Sequence, residues 1–97
     1  MGKIYIYQTA LDIEATLGCD ITGASALLIK YQKPNGDTGS FAATSTDDEN
    51  GVIEYQVSSE DDIDQAGEWV FWGHVTFADG SYAAGEPYSM TVYREGN

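Results

Sequence analysis

The eleven residues from Glu68 to Ala78 constrain the fold more than any other stretch of the chain. Trp69, Phe71, Gly73, Val75 and Phe77 fall on one side, and Val70, Trp72, His74 and Thr76 on the other. An unbroken period of two over that length is a β-strand, because successive strand side chains point to opposite faces. The first set is the more apolar and is expected inside. The rest of the chain reads as sheet built around this strand.

Alternation recurs on either side of it. Lys3 to Tyr7 is a short strand with Ile4 and Ile6 against Tyr5 and Tyr7. Leu11 to Leu17 sets Leu11, Ile13, Ala15 and Leu17 inward and Asp12, Glu14 and Thr16 outward. Asp20 to Ala24 is a loop. Ser25 to Lys33 has Leu27, Ile29 and Tyr31 inward, with Lys30 and Gln32 outward. Pro34-Asn35-Gly36-Asp37 is a turn, since proline presets φ and Asn-Gly tolerates positive φ. Thr38 to Thr44 returns with Phe41 and Ala43 inward, and Thr46 to Gly51 reads as an acidic loop. Val52 to Val57 points Ile53, Tyr55 and Val57 inward. Between Ser58 and Gly67 the expectation is a one-turn helix capped by Ser59 and Asp62, with Glu60 and Asp61 in its first turn, Ile63 plugging the core and Gly67 ending it. Asp79-Gly80 signals a hairpin, and the return strand Ser81 to Arg94 breaks at Gly85-Glu86-Pro87 because proline cannot donate to a ladder. Tyr88, Met90 and Val92 then alternate inward, and Glu95 to Asn97 is expected to fray. About seven strands with polar turns predict an all-β antiparallel sandwich of two sheets in one domain, residues 1–97, with an open barrel as the competing architecture.

Charge narrows the function classes. Sixteen acidic residues stand against four basic ones, a formal net of −12. A surface of that sign repels phosphate backbones and anionic headgroups, so neither nucleic acid nor membrane is an expected partner. The single cysteine, Cys19, excludes an intramolecular disulfide and is expected to be a buried, inert thiol. No basic segment followed by an apolar run stands at the N-terminus, so no signal peptide is read and synthesis in the cytoplasm is expected.

The acidic corner carries a resemblance. Asp64-Gln65-Ala66-Gly67-Glu68-Trp69 has the form Asp-x-Ala-Gly-x-aromatic through which immunoglobulin-like domains enter their sixth strand. The succession Asp20-Ile21-Thr22-Gly23-Ala24, Lys33-Pro34-Asn35-Gly36, Asp62 to Trp69, and Asp79-Gly80-Ser81 resembles small immunoglobulin-like proteins of tailed phages and prophages, some of them similar to the N-terminal domain of baseplate upper proteins. That resemblance implies a disulfide-free immunoglobulin-like sandwich, a place in a bacterial virus particle as a tail- or baseplate-associated structural module, and no catalytic residue.

Residue chemistry points the same way. His74 is the only histidine, on a strand between Trp72 and Thr76, with no nucleophile placed beside it by spacing. Two acidic clusters, Asp47-Asp48-Glu49-Asn50 and Glu60-Asp61-Asp62-Asp64, lack the alternating spacing of a calcium loop and could serve calcium only if the two loops met at one end of the sandwich. No catalytic group, metal or cofactor is expected, and the chain is not read as an enzyme. The candidate contact patch is Val70, Trp72 and His74. Trp72 falls on the outer face, either exposed as a contact for another subunit or a sugar, or covered by a neighbouring stem such as that of Lys30. The two functional readings are a structural or interaction module with protein partners, and a carbohydrate- or surface-binding module using exposed aromatics.

Overall fold

Alternation decides which side chains meet in the centre. The computed structural model describes residues 4–9, 11–59 and 61–94; Lys3, Glu60 and the segment 95–97, for which sequence expectations were stated, lie outside them. Nine strands form among the described residues: β1 (Ile4–Tyr5), β2 (Leu11–Thr16), β3 (Ala24–Gln32), β4 (Thr38–Ala42), β5 (Thr44–Asp47), β6 (Val52–Val57), β7 (Gly67–Phe77), β8 (Tyr82–Ala84) and β9 (Tyr88–Tyr93). The larger sheet runs β1-β9-β7-β3-β4, with β8 also paired to β7, and the smaller runs β2-β6-β5. No helix forms among the described residues.

Two breaks reconcile nine strands with the expected seven. β4 and β5 are one chain run that leaves the larger sheet and joins the smaller one at Ala43, whose N–H still bonds Leu27 O at 2.9 Å. β8 and β9 are the return strand interrupted at Gly85-Glu86-Pro87, as proline chemistry requires. The expected loop from Thr46 is shorter than the sequence suggests, because Thr46 and Asp47 belong to β5. The sheets are not wholly antiparallel either: β1 pairs parallel with β9, Ile4 opposite Val92.

The inner face of β7 is the spine. Trp69, Phe71 and Val75 are fully buried, each burial stabilising by roughly 1.5–3 kcal/mol. Gly73 sits among them because the space is taken: a Cβ there would meet Ala15 Cβ of the facing sheet at 3.3 Å and Cδ2 of Leu17, just past the end of β2, at 2.8 Å. Ring contacts run through the core from one sheet to the other: Tyr55–Phe41 stacked at 4.5 Å, Phe41–Tyr31 at 4.7 Å, Tyr31–Trp69 at 5.4 Å, Trp69–Phe71 at 5.8 Å and Phe71–Tyr88 at 5.9 Å. The polar tip at each end is bonded, as amphipathic rings require. Tyr55 Oη donates to Asp62 Oδ2 at 2.5 Å, and Tyr88 Oη donates to Glu14 O at 2.5 Å.

Among its described residues the corner before β7 forms no helix. Asp61 N donates to Ser59 Oγ at 3.2 Å and Ser59 N donates to Asp62 Oδ2 at 3.4 Å, so the reciprocal capping bonds close on a turn, Asp61–Ile63, that does not propagate. So short a stretch, with Ile63 its one large apolar side chain, has little to repay helix nucleation. Ile63 is buried as expected. Gly67 has φ +127 but opens β7 instead of ending a helix, and a Cβ on it would meet Pro34 Cγ at 2.9 Å. Asp64 pairs with Lys33, Nζ to Oδ1 at 2.9 Å. Lys33 Nζ also lies over the Tyr31 and Trp69 rings, at 5.9 and 5.7 Å from their centroids.

Cys19 corrects an expectation. It is exposed, not buried. The alternation of β2 ends at Leu17, Gly18 turns the chain with φ +72, and the buried anchors on either side are Leu17 and Ile21.

A candidate interaction surface

The two sheets divide the charge. Strands β1, β3, β4, β7, β8 and β9 of the larger sheet contain one lysine, Lys30, one glutamate, Glu68, and His74. Strands β2, β5 and β6 of the smaller sheet contain Asp12, Glu14, Asp47 and Glu54 and no base. The remaining described acids sit in turns. Asp20 accepts from Thr22 and Asp79 from Ser81, which holds both carboxyls below the usual range.

On the outer side of the larger sheet, register sets the neighbours. Val70 lies between Gln32 and Ser89, Trp72 beside Lys30, His74 between Leu28 and Ala84, and Thr76 between Ala26 and Tyr82. The three candidate residues, Val70, Trp72 and His74, therefore share one face. All three are half-buried, so an open Trp72 is not what forms. Lys30 is the register partner of Trp72 on β3, and on the other side Trp72 faces the break between β8 and β9. The exposed large hydrophobic on this face is Tyr82, at 69%. Its ring stacks on His74 with centroids 5.1 Å apart and planes 15° from parallel. Sequence reasoning passed over Tyr82, although the Asp79-Gly80 hairpin and the alternation of β7 together put it opposite Thr76.

His74 is tuned to be neutral. Burial and then the Lys30 ammonium push its pKa below 6.5, and its Nδ1 is buried with no hydrogen-bond partner among the described residues. Nothing about it resembles a general base oriented by a third group. The two acidic clusters do not converge: the turn 48–51 precedes β6 and the corner 58–66 follows it, which puts them at opposite ends of that strand. Four of their carboxylates are engaged locally, Asp47 by Asn50, Asp48 by Ser45, Asp62 by Tyr55 and Ser59, and Asp64 by Lys33. Among the described residues no three His, Cys, Asp or Glu side chains gather as a metal set. A cleft of about 650 Å³ lies between Glu14–Gly18 and Ala84–Tyr88, where the two sheet edges approach; its ionisable side chains are Glu14, Glu86 and Tyr88, and none of the candidate residues reaches it.

No protein-family model matches this chain, and no curated protein does either. Among solved structures, the crystal structure of CopC from Methylosinus trichosporium OB3b is similar over 100% of this chain and 89% of that one, with a TM-score of 0.59 and 16% sequence identity. A likeness at that identity conveys architecture alone. The chain is an all-β, immunoglobulin-like sandwich without a disulfide.

Proposed function

We propose that this chain is a non-enzymatic docking module that presents the outer face of its larger sheet to a protein partner, as a structural component of a tailed-phage particle. The observation that carries the docking is the division of charge. A chain of net −12 keeps one broad sheet face almost free of acids and lines it with Val70, Trp72, His74, Leu28 and Tyr82. Interface cores are depleted of charge and enriched in aromatic rings, and the flanking acids disfavour indiscriminate association. The phage setting is supported by the order and spacing of the four turn signals in the sequence.

Carbohydrate binding is the second reading, and one observation favours it: the Tyr82 ring, stacked on half-buried His74, is exposed to solvent. Fluorescence separates the two, because Trp69 is sealed in the core and Trp72 alone can report a change at the outer face. Docking is expected to make the chain co-purify with phage particles, with loss on Val70→Glu and retention on Thr46→Lys. Absence from particles, or a glycan-induced shift in tryptophan emission that disappears in Tyr82→Ala, would overturn it in favour of sugar binding.

A further inference from the structure

Every sheet that stays open has edges, and an unguarded edge is a template for another strand. Three edges of this sandwich are guarded. β2 is covered where Tyr88 Oη donates to Glu14 O and where Gly85 packs on the Thr16 carbonyl. β5 carries a register shift between Ser45 and Asp47 and ends on an acid. On the far side of the larger sheet β1 is two residues long, and the return strand is broken before Pro87.

β4 has none of these devices. Thr38-Gly39-Ser40-Phe41-Ala42 is uncharged and pairs with β3 without a bulge, and among the described residues no strand lies beyond it. Thr38, Ser40 and Ala42 are exposed. The ladder fixes which backbone groups are spent. Lys33 N bonds Asp37 O and Ala43 N bonds Leu27 O, so odd-numbered residues face β3, and the N–H and C=O of Thr38, Ser40 and Ala42 point outward.

We infer that β4 is the seam of a two-fold dimer, in which a second copy of this chain pairs antiparallel with it about Ser40. The outward groups at 38, 40 and 42 map onto themselves under that rotation: Thr38 of one copy meets Ala42 of the other, and Ser40 meets Ser40. This is the self-complementarity an isologous interface requires. The seam side chains are small and neutral, so no like charges are opposed across it. The nearest acid in sequence, Asp37, falls at opposite ends of the seam in the two copies. That separates the pair by about 20 Å, beyond the Debye length of about 8 Å at physiological salt. Lys30, in register with Ser40, sets a base near the axis instead. Pairing would join two six-stranded sheets edge to edge and make their outer faces continuous. The inference stands apart from the docking reading, since it rests on backbone groups and not on the outer face.

Sedimentation of the intact chain tests it across salt concentrations. The long-range repulsion of two −12 chains is expected to keep the protein monomeric at low salt and to yield a doubled mass as salt screens it. Ser40→Lys opposes two ammonium groups on the seam, and Ser40→Pro removes an outward N–H while leaving the β3 ladder intact; each is expected to abolish the doubling. Thr46→Lys on β5 is expected to leave it unchanged. Amide exchange gives a second reading: in the dimer Thr38, Ser40 and Ala42 gain protection that Gly39, Phe41 and Ala43 already have in the monomer. A chain that stays monomeric at high salt, a dimer indifferent to both Ser40 variants, or a dimer without the alternating gain in protection would overturn the inference.

Discussion

Gly51 and Gly80 allow a clean separation of two costs that glycine replacement usually mixes. Both have positive φ, +71 and +90, so an alanine at either must adopt a left-handed backbone, which costs about 1–2 kcal/mol. At Gly80 nothing among the described residues lies within 4 Å of the new methyl, and the conformational cost is the whole effect. At Gly51 the methyl would run into the Cys19 carbonyl and come to 3.2 Å from Leu17 Cβ. The backbone cannot step aside freely, because Gly51 O accepts from Leu17 N at 2.8 Å and ties the turn to the end of β2. Overpacking against fixed backbone adds roughly 1–3 kcal/mol. Gly80→Ala should therefore lose about 1–2 kcal/mol in urea unfolding and Gly51→Ala about 2–5 kcal/mol, with unchanged m-values. Gly80→Asn should recover part of the smaller loss, since asparagine tolerates this backbone region better than alanine. Equal losses for the two alanine variants would refute the claim that the turn 48–51 is packed onto the Leu17–Cys19 backbone.

Two further outcomes involve protons. Burial, reinforced by the Glu14 charge, pushes the Tyr88 phenol up to about 12; a group with a raised folded pKa loses its stabilising contribution as pH rises from its unfolded value, so the wild type should lose stability between about pH 10 and about pH 12 more steeply than Tyr88→Phe. The same variant should lose about 0.5–1.5 kcal/mol at neutral pH, measured by urea unfolding, for the missing bond to Glu14 O. His74 shifts the other way: the unfolded imidazole takes up a proton near 6.5 while the folded one resists, so stability falls as pH drops through that value, and the wild-type midpoint should decline relative to His74→Gln between about pH 7.5 and about pH 5. Parallel profiles for the pair would mean that His74 is not held neutral.

Strand interiors were legible because each buries one face. Ile13, Ala15, Ile53, Val57, Trp69, Phe71 and Val75 lie where period two puts them. The passage from β4 to β5 was not, because Phe41, Ala43 and Ser45 keep alternating inward through Ala43 and leave no mark in the pattern. Gly85 to Pro87 was visible because it shifts the inward set from Ala83 to Tyr88, a change of parity. For the surface, the sequence could name the face of Val70, Trp72 and His74 but not its cover, which depends on which strands flank β7. Charge division was equally hidden, since acids such as Glu54 and Glu68 look alike until sheet membership separates them.

The parallel pairing of β1 with β9 has a mechanical consequence. Ile4 and Val92 are neighbours whose strands run the same way, and Ile6 N bonds Tyr93 O at 2.8 Å. Tension that enters ahead of Ile4 and leaves beyond Tyr93 drags the two strands in opposite senses along their common axis. Their bonds are then sheared together instead of unzipping one after another, so the sandwich resists a pull along the chain at the place where the pull arrives.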